Sequence, residues 1–296
     1  MTGPLYALHS LCIRPLALSA SVAEGLASGA PVVQTGHRHG AILALPGTED
    51  SVFMSAPGLG LLPAHIVVRK RDLECVRDAL AGAQAGALRL RIDAADARIF
   101  RPVLRPDSLD PQCARARAGI AAVAQSLRVS AAPLGLGVTA VEALAPGSRW
   151  LQYAAAVQDT GAAAESVLRS LIGFGAGTTP AGDDFIVGML AHAWATRGRG
   201  APAIAALRML GPALPELTTA VSATYLRAAA RGEFGSHLIA WVRALPRAPA
   251  SRAIALAKRV AEHGATSGYD TLAGFVAAAG SVRAAHRSRQ PVPESA

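Results

Sequence analysis

LIGFGAGTTPAGDDFIVGML, residues Leu171–Leu190, decides how this chain reads. Gly173, Gly175 and Gly177 alternate ahead of Thr178-Thr179-Pro180, and Gly182, Asp183 and Asp184 lead into an apolar run. Alternating glycines let a loop take positive φ and let a ligand approach its N–H groups. Pro180 suits a first helical turn, where its missing donor is not needed. The stretch therefore predicts a glycine loop feeding a helix N-terminus, a natural place for an anion. Two carboxylates in that first turn are favoured by the helix dipole, yet they repel a bare phosphate unless a cation or proton intervenes. The segment is not a Walker A loop, since no Lys follows its last glycine, and it lacks the Rossmann spacing. A first-turn Asp serving only as a cap is the plain alternative.

A second stretch repeats part of the first. In His263-Gly-Ala-Thr-Ser-Gly-Tyr-Asp-Thr-Leu-Ala-Gly274, Gly268 parallels Gly182, Asp270 parallels Asp184, and Gly274 parallels Gly188. Each Asp sits near a helix start and a Gly follows on the same face four residues later. A glycine inside a helix costs about 1 kcal/mol against alanine, so a packing reason is expected for both. The repeat predicts two closely approaching helices whose Asp-bearing ends share one pocket. A local capping box of Ser267 and Asp270 is the alternative.

Working outward, helical candidates fill the chain from Trp150. They run over 162–173, 182–196, 201–210, 212–231, 236–245, 250–263 and 268–286. The N-terminal part reads as strands over 31–45, 51–56, 65–69 and 88–104, with a helix over 71–81. Leu88, Leu90 and Ile92 alternate with arginines, the pattern of a half-buried strand. The expected fold class is α+β: a β-rich domain over 1–110, a helix and Gly/Pro connector over 111–149, and a helical domain over 150–286. A polar tail over 287–296 is expected to be disordered.

The 296 residues suffice for a sizeable core. No apolar run reaches the length of a membrane span, and Arg14-Pro15 interrupts the stretch that most resembles an export signal. A cytoplasmic protein is expected, with no membrane partner. Cys12, Cys75 and Cys113 form neither a disulfide framework nor a CxxC pair, and His37 and His39 lack a third partner for a metal. The net charge of +9 rests on arginines scattered among alanines; Lys70 and Lys258 are the only lysines. With aromatics at 4% and not interleaved with the arginines, no stacking platform for nucleic acid is expected. The charge still helps attract small anions.

Candidate catalytic groups are Asp184, Asp183 and His237. Adjacent aspartates diverge by about 100° on a helix, and the parallel with Asp270 selects Asp184 as the residue facing the pocket. His237 follows Ser236, read as an N-cap, and an imidazole there can serve acid–base chemistry near neutral pH. Candidate ligand-binding groups are Gly175, Gly177, Thr178, Thr179, Gly182, Ser236, His263, Ser267, Gly268 and Asp270. No metal site and no cofactor is named by the sequence, and the absence of a Gly-x-Ser-x-Gly elbow removes the usual marker of a serine hydrolase.

The pair Gly175-Ala-Gly-Thr-Thr-Pro-Ala-Gly-Asp-Asp-Phe-Ile-Val-Gly188 and His263–Gly274 resembles the bacterial family that includes the AllH subunit of oxamate carbamoyltransferase. Thr178 stands where that family usually has Leu and Ala181 where it usually has Ser; Gly182, Asp183 and Asp184 are intact. The resemblance implies a subunit acting with partner subunits late in allantoin (purine nitrogen) catabolism. The reaction implied interconverts oxalurate plus phosphate with oxamate plus carbamoyl phosphate. Such small anions suit glycine-loop N–H groups, and carbamoyl transfer needs charge stabilisation at a carbonyl and acid–base help at an amine. Two alternatives stand beside this: a non-catalytic subunit that binds a small acid or braces a partner, and a hydrolase whose Asp183, Asp184 and Asp270 hold Mg²⁺.

Overall fold

The computed structural model describes residues 10–37, 39–81, 88–159 and 161–287. Arg38 and the tail over 288–296 lie outside the described residues, as do the side chains of Ser10, His37 and residues 282–287. The chain divides into two compact units at Pro102/Val103. It is α+β, with strands in the first unit and helices in the second.

The first unit contains β1 (Ser10–Ile13), β2 (Ala17–Ser19), α1 (Ala20–Gly25), β3 (Val32–His37), β4 (Gly40–Ala44), β5 (Ser51–Ser55), β6 (His65–Val67), α2 (Lys70–Ala81), β7 (Arg89–Ile92) and β8 (Arg98–Phe100). The strands form one mixed sheet of order β1-β7-β3-β4-β5-β6-β2-β8. Three residues, Arg14 to Leu16, join β1 to β2, although the two strands stand six places apart. A flat sheet would separate them by about 29 Å at the usual strand spacing, whereas the linker spans at most about 14 Å. The sheet must therefore curl strongly. Leu88 and Leu90 are buried while Arg89 and Arg91 are exposed, as their alternation predicts. Leu18, Val33, Leu43, Met54, Ile66 and Val76 complete the core. His65 is buried but satisfied: the Leu62 amide donates to its Nδ1, so its Nε2 carries the proton facing Ser55 Oγ at 2.9 Å. That proton direction leaves Ser55 unactivated.

The second unit contains α3 (Ala114–Val129), α4 (Ala140–Ala143), α5 (Arg149–Ala156), α6 (Gly161–Leu171), α7 (Ala181–Arg197), α8 (Pro202–Leu210), α9 (Leu214–Leu217), α10 (Ala220–Ala230), α11 (Ser236–Ala244), α12 (Ala250–Ala261) and α13 (Ser267–Arg287). At its centre α7 packs along α13. α7 is buried nearly all round, with Phe185, Ile186, Leu190 and Trp194 inside; a helix apolar on every face belongs in a core. The more amphipathic α3, α5, α10 and α12 surround this pair. Residues 103–109 run as a strap on the same unit. Leu104 and Leu109 are buried in its core, and the Trp194 indole N–H donates to the Leu104 carbonyl at 2.8 Å.

Several sequence expectations need correction. The helix expected over 212–231 is broken: α9 ends at Leu217, Thr218 is extended, and the Thr219 hydroxyl caps α10 by accepting from the Ser222 amide. Pro180 is the N-cap of α7 rather than a helical residue, and Gly235, not Ser236, is the N-cap of α11. The reason is local in both cases, since each capping residue is extended with φ near −55° and the helix begins one residue later. β1, β2 and α5 were not legible as separate elements.

Candidate functional site

The two motifs repeat in helical register. Ala181 opens α7 and Ser267 opens α13; Gly182 and Gly268 are the second residues, Asp184 and Asp270 the fourth, Gly188 and Gly274 the eighth. Gly182 and Gly268 play the same part. A Cβ on either would collide with a carbonyl at the end of the preceding helix, that of Leu171 or Val260. Gly188 and Gly274 let α7 and α13 cross in contact, because a Cβ on Gly188 would strike the Thr271 carbonyl and one on Gly274 that of Phe185. The packing reason expected for these glycines is thus present in all four.

This crossing brings the two N-termini together. Thr179 Oγ1 lies 3.0 Å from Ser267 Oγ, joining one motif to the other. Both hydroxyls also hydrogen-bond the Asp184 carboxyl, and the Asp270 charge acts on it. Ser267 therefore reaches across to the other motif instead of closing a capping box with Asp270. Asp270 accepts from the Gly135 amide at 3.3 Å and is further held by Thr266 and the Leu136 amide. Asp184 is 9% exposed and Asp270 is fully buried, and one oxygen of each, Oδ2 of Asp184 and Oδ1 of Asp270, has no hydrogen-bond partner.

Burial decides the protonation of this pair. It pushes the Asp184 carboxyl up to about 8; the Ser267 hydroxyl pulls the other way, and the neighbouring Asp270 charge adds to the rise. Burial raises Asp270 to about 6 against the pull of Thr266 and the Gly135 and Leu136 amides. Near neutral pH the pair therefore keeps a proton. A protonated acid is also a donor, which removes the conflict between carboxylates and an anion at a helix N-terminus.

Asp183 has a different task. Its Oδ1 accepts from the Gly173 amide at 2.9 Å and its Oδ2 from the Thr218 hydroxyl. Burial still raises its pKa, opposed by Thr218, Gly173 and Ser222. It ties the glycine loop to the start of α7 and to the break before α10. Among the described residues no group of three His, Cys, Asp or Glu side chains is placed to hold a metal ion.

Gly173, Gly175 and Gly177 all have positive φ, between 77° and 105°. Residues 174–178 are exposed, and no acceptor among the described residues takes the amides of Gly175, Ala176, Gly177 or Thr178. Thr178 contributes its carbonyl, which accepts from the Thr219 hydroxyl at 2.6 Å. His237 and His263 form a second group. His237 Nδ1 faces the Arg259 carbonyl at 3.2 Å, burial lowers the pKa of His263, and the His237 charge lowers it further. Ser236 opens α11 beside His237. The His263 carbonyl accepts from the Gly268 amide at 3.0 Å, closing the loop into α13.

Sequence reasoning missed Tyr225, Thr218, Thr266 and Gly135. Burial holds the Tyr225 phenol neutral, and the Asp184 charge reinforces this. A Cβ on Gly135 would lie 2.7 Å from Thr266 Oγ1, 2.8 Å from the Ala181 Cβ and 3.1 Å from Asp270 Oδ2, so only glycine fits there. The Gly-Leu-Gly of 135–137, inside the connector, is the available signal.

Fold and site together define an α+β protein whose helical unit sets a buried carboxylic-acid pair at the N-termini of two register-matched helices. Residues 171–279 match the family model described as oxamate carbamoyltransferase subunit AllH, so this part of the chain is similar to the family that its motifs resemble. The matched span runs from the end of α6 into α13 and contains both motifs. No solved structure matches the chain. No helix among the described residues is long and apolar enough to cross a membrane.

Proposed function

We propose that this chain is a subunit of a carbamoyl-transferring enzyme and that the Asp184–Asp270 pair, with the 173–179 loop, binds its small anionic substrate. The observation that carries this reading is the pair itself: two buried acids at matching helical positions, each with an unpartnered oxygen, beside exposed loop amides. The family match supports the reaction class and the expectation of partner subunits.

The chemistry follows from the groups present. A phosphate oxygen attacks the ureido carbonyl of oxalurate, the bond from that carbon to the oxamate nitrogen breaks, and the nitrogen takes up a proton. Carbamoyl phosphate and oxamate result. The amides of Gly175 and Gly177 and the two helix N-termini stabilise the negative charge on the carbonyl oxygen. Protonated Asp184 supplies the proton to the departing nitrogen, and burial together with the neighbouring Asp270 charge keeps that proton in place. Thr179 and Ser267 hold its carboxyl in place, Asp183 positions the loop, and His237 and His263 take no part in the step.

The test is Asp184→Asn in the chain assembled with its partner subunits. Turnover of oxamate with carbamoyl phosphate should fall by at least about a hundredfold, the usual scale of a lost acid, while the circular dichroism spectrum is kept. Near-normal turnover rejects the assignment. A subunit that only braces its partners is the second reading, favoured if calorimetry finds no binding of oxamate, carbamoyl phosphate or phosphate to the chain alone but tight association with a partner subunit.

A further inference from the structure

A cleft of about 760 Å³ opens on the helical unit away from the carboxylic-acid pair. It shares α7 and α13 with that pair but none of its residues. His192, which lines it, stands eight residues beyond Asp184 on α7, about 12 Å along the helix.

The walls are apolar, with Ile120 and Ala124 from α3, Leu151 from α5 and Val276 from α13. His192 is 2% exposed, and its Nδ1 has no hydrogen-bond partner. Its ring sits edge-on to Phe275 with centroids 5.2 Å apart. Burial, helped by the Arg197 charge, drops its pKa to about 4, so the ring is neutral and can donate or accept one more hydrogen bond. Two cations border the same space. Arg128 is anchored by donating to the Leu144 carbonyl at 2.6 Å and keeps further N–H groups, and Arg117 is exposed. Asp110 is the acidic residue of the lining, and its Oδ1 is occupied by the Gln112 amide at 2.8 Å.

An apolar chamber of this size, with a few polar groups and a buried ring nitrogen lacking its bond, has the make-up of a small-molecule site. We infer that the cleft is a second binding site, separate from the proposed substrate site, for a small carboxylate with an apolar body and a hydrogen-bonding group. The carboxylate meets Arg117 and Arg128, the body fills the space among Ile120, Ala124, Leu151 and Val276, and the polar group completes His192 Nδ1. A neutral apolar ligand leaves the arginines unused, and a compact inorganic anion leaves the apolar walls wet.

The probe is 4-hydroxyphenylacetate, titrated into the full chain by calorimetry and followed by ¹⁵N-histidine NMR. The expected result is saturable binding at one site with Kd below about 1 mM, together with a shifted His192 Nδ1 resonance. The amide analogue, which lacks the charge, should bind at least about tenfold more weakly, and Arg117→Gln combined with Arg128→Gln should reproduce that loss. Ala124→Phe, which fills the chamber, should abolish binding. Arg117 is exposed, so the arginine variant keeps the test open even if Ala124→Phe does not fold. Asp184→Asn should bind the probe as the parent chain does, which separates this site from the proposed active centre. Absence of saturable binding, equal binding of the amide, or unchanged binding to a folded Ala124→Phe overturns the inference.

Discussion

Gly188 and Gly274 are reciprocal: each presents a bare Cα to the other's helix, Gly188 to the Thr271 carbonyl and Gly274 to that of Phe185. The colliding atoms are backbone, which no side-chain rotation can move aside. Gly188→Ala or Gly274→Ala should therefore destabilise the helical unit by about 2–3 kcal/mol or more, at the upper end of overpacking costs. Gly280→Ala, further along α13 with nothing within 4 Å, should instead stabilise it by about 0.5–1 kcal/mol. Urea denaturation of the three variants measures the contrast. Equal effects at Gly188 and Gly280 would contradict the crossing geometry.

Stability should fall as pH rises toward 8, and Asp184 should cause much of the fall. Its folded pKa, about 8, lies above the ordinary value of 3.8, so between those limits the folded state binds more protons than the unfolded chain. The stabilising contribution is complete below about pH 4 and is lost as pH climbs through 8. His192 acts oppositely but lower: with its pKa depressed to about 4, its contribution is present above 6.5 and lost on acidification. The window from pH 6.5 to 9 thus isolates the acids. Asp184→Asn should flatten the decline there and be more stable than the parent at pH 9, by an amount on the order of a few kcal/mol. A decline unchanged by the substitution would remove Asp184 from this role.

Asp183 differs from its neighbour in having both oxygens engaged, by Gly173 and Thr218. Thr218→Val deletes one donor and leaves a buried acceptor unmatched, at about 1–3 kcal/mol. Asp183→Asn keeps one acceptor and should cost a comparable amount. In both variants hydrogen exchange at the Gly173 amide should speed up well before global unfolding. If that amide stays as protected as before, Asp183 does not hold the loop.

Much of the helical unit was legible because its glycines and aspartates carry a spacing that survives folding. Gly182, Asp184 and Gly188 repeat as Gly268, Asp270 and Gly274, and a repeat in sequence becomes a repeat in helical register. The break at Thr218-Thr219 was hidden, since both threonines fit a helical pattern. Only the fold reveals that Thr218 serves Asp183 and that Thr219 caps α10. Gly135 and Tyr225 reach the acid pair from 135 and 41 residues away in the chain's numbering from Asp270 and Asp184, respectively, and no local pattern announces such contacts. β1 and β2 were obscured by their brevity; three or four residues around Arg14-Pro15 carry too little alternation to declare a strand.

Thr179 and Ser267 supply the last prediction, because their hydroxyls meet at 3.0 Å and both stabilise the charged form of Asp184. Removing either donor should raise the Asp184 pKa further. In Thr179→Val and Ser267→Ala the pH at which the alkaline stability loss levels off should therefore move above its parental value near 8, with the double variant shifted most. The two changes should not add, since each hydroxyl loses a partner when the other goes; a double-mutant cycle should give a coupling of about 0.5–1.5 kcal/mol. Carboxyl ¹³C NMR of Asp184 reads the shift directly. A titration that stays in place, or free energies that simply add, would mean that the two motifs meet in space without acting on the same proton.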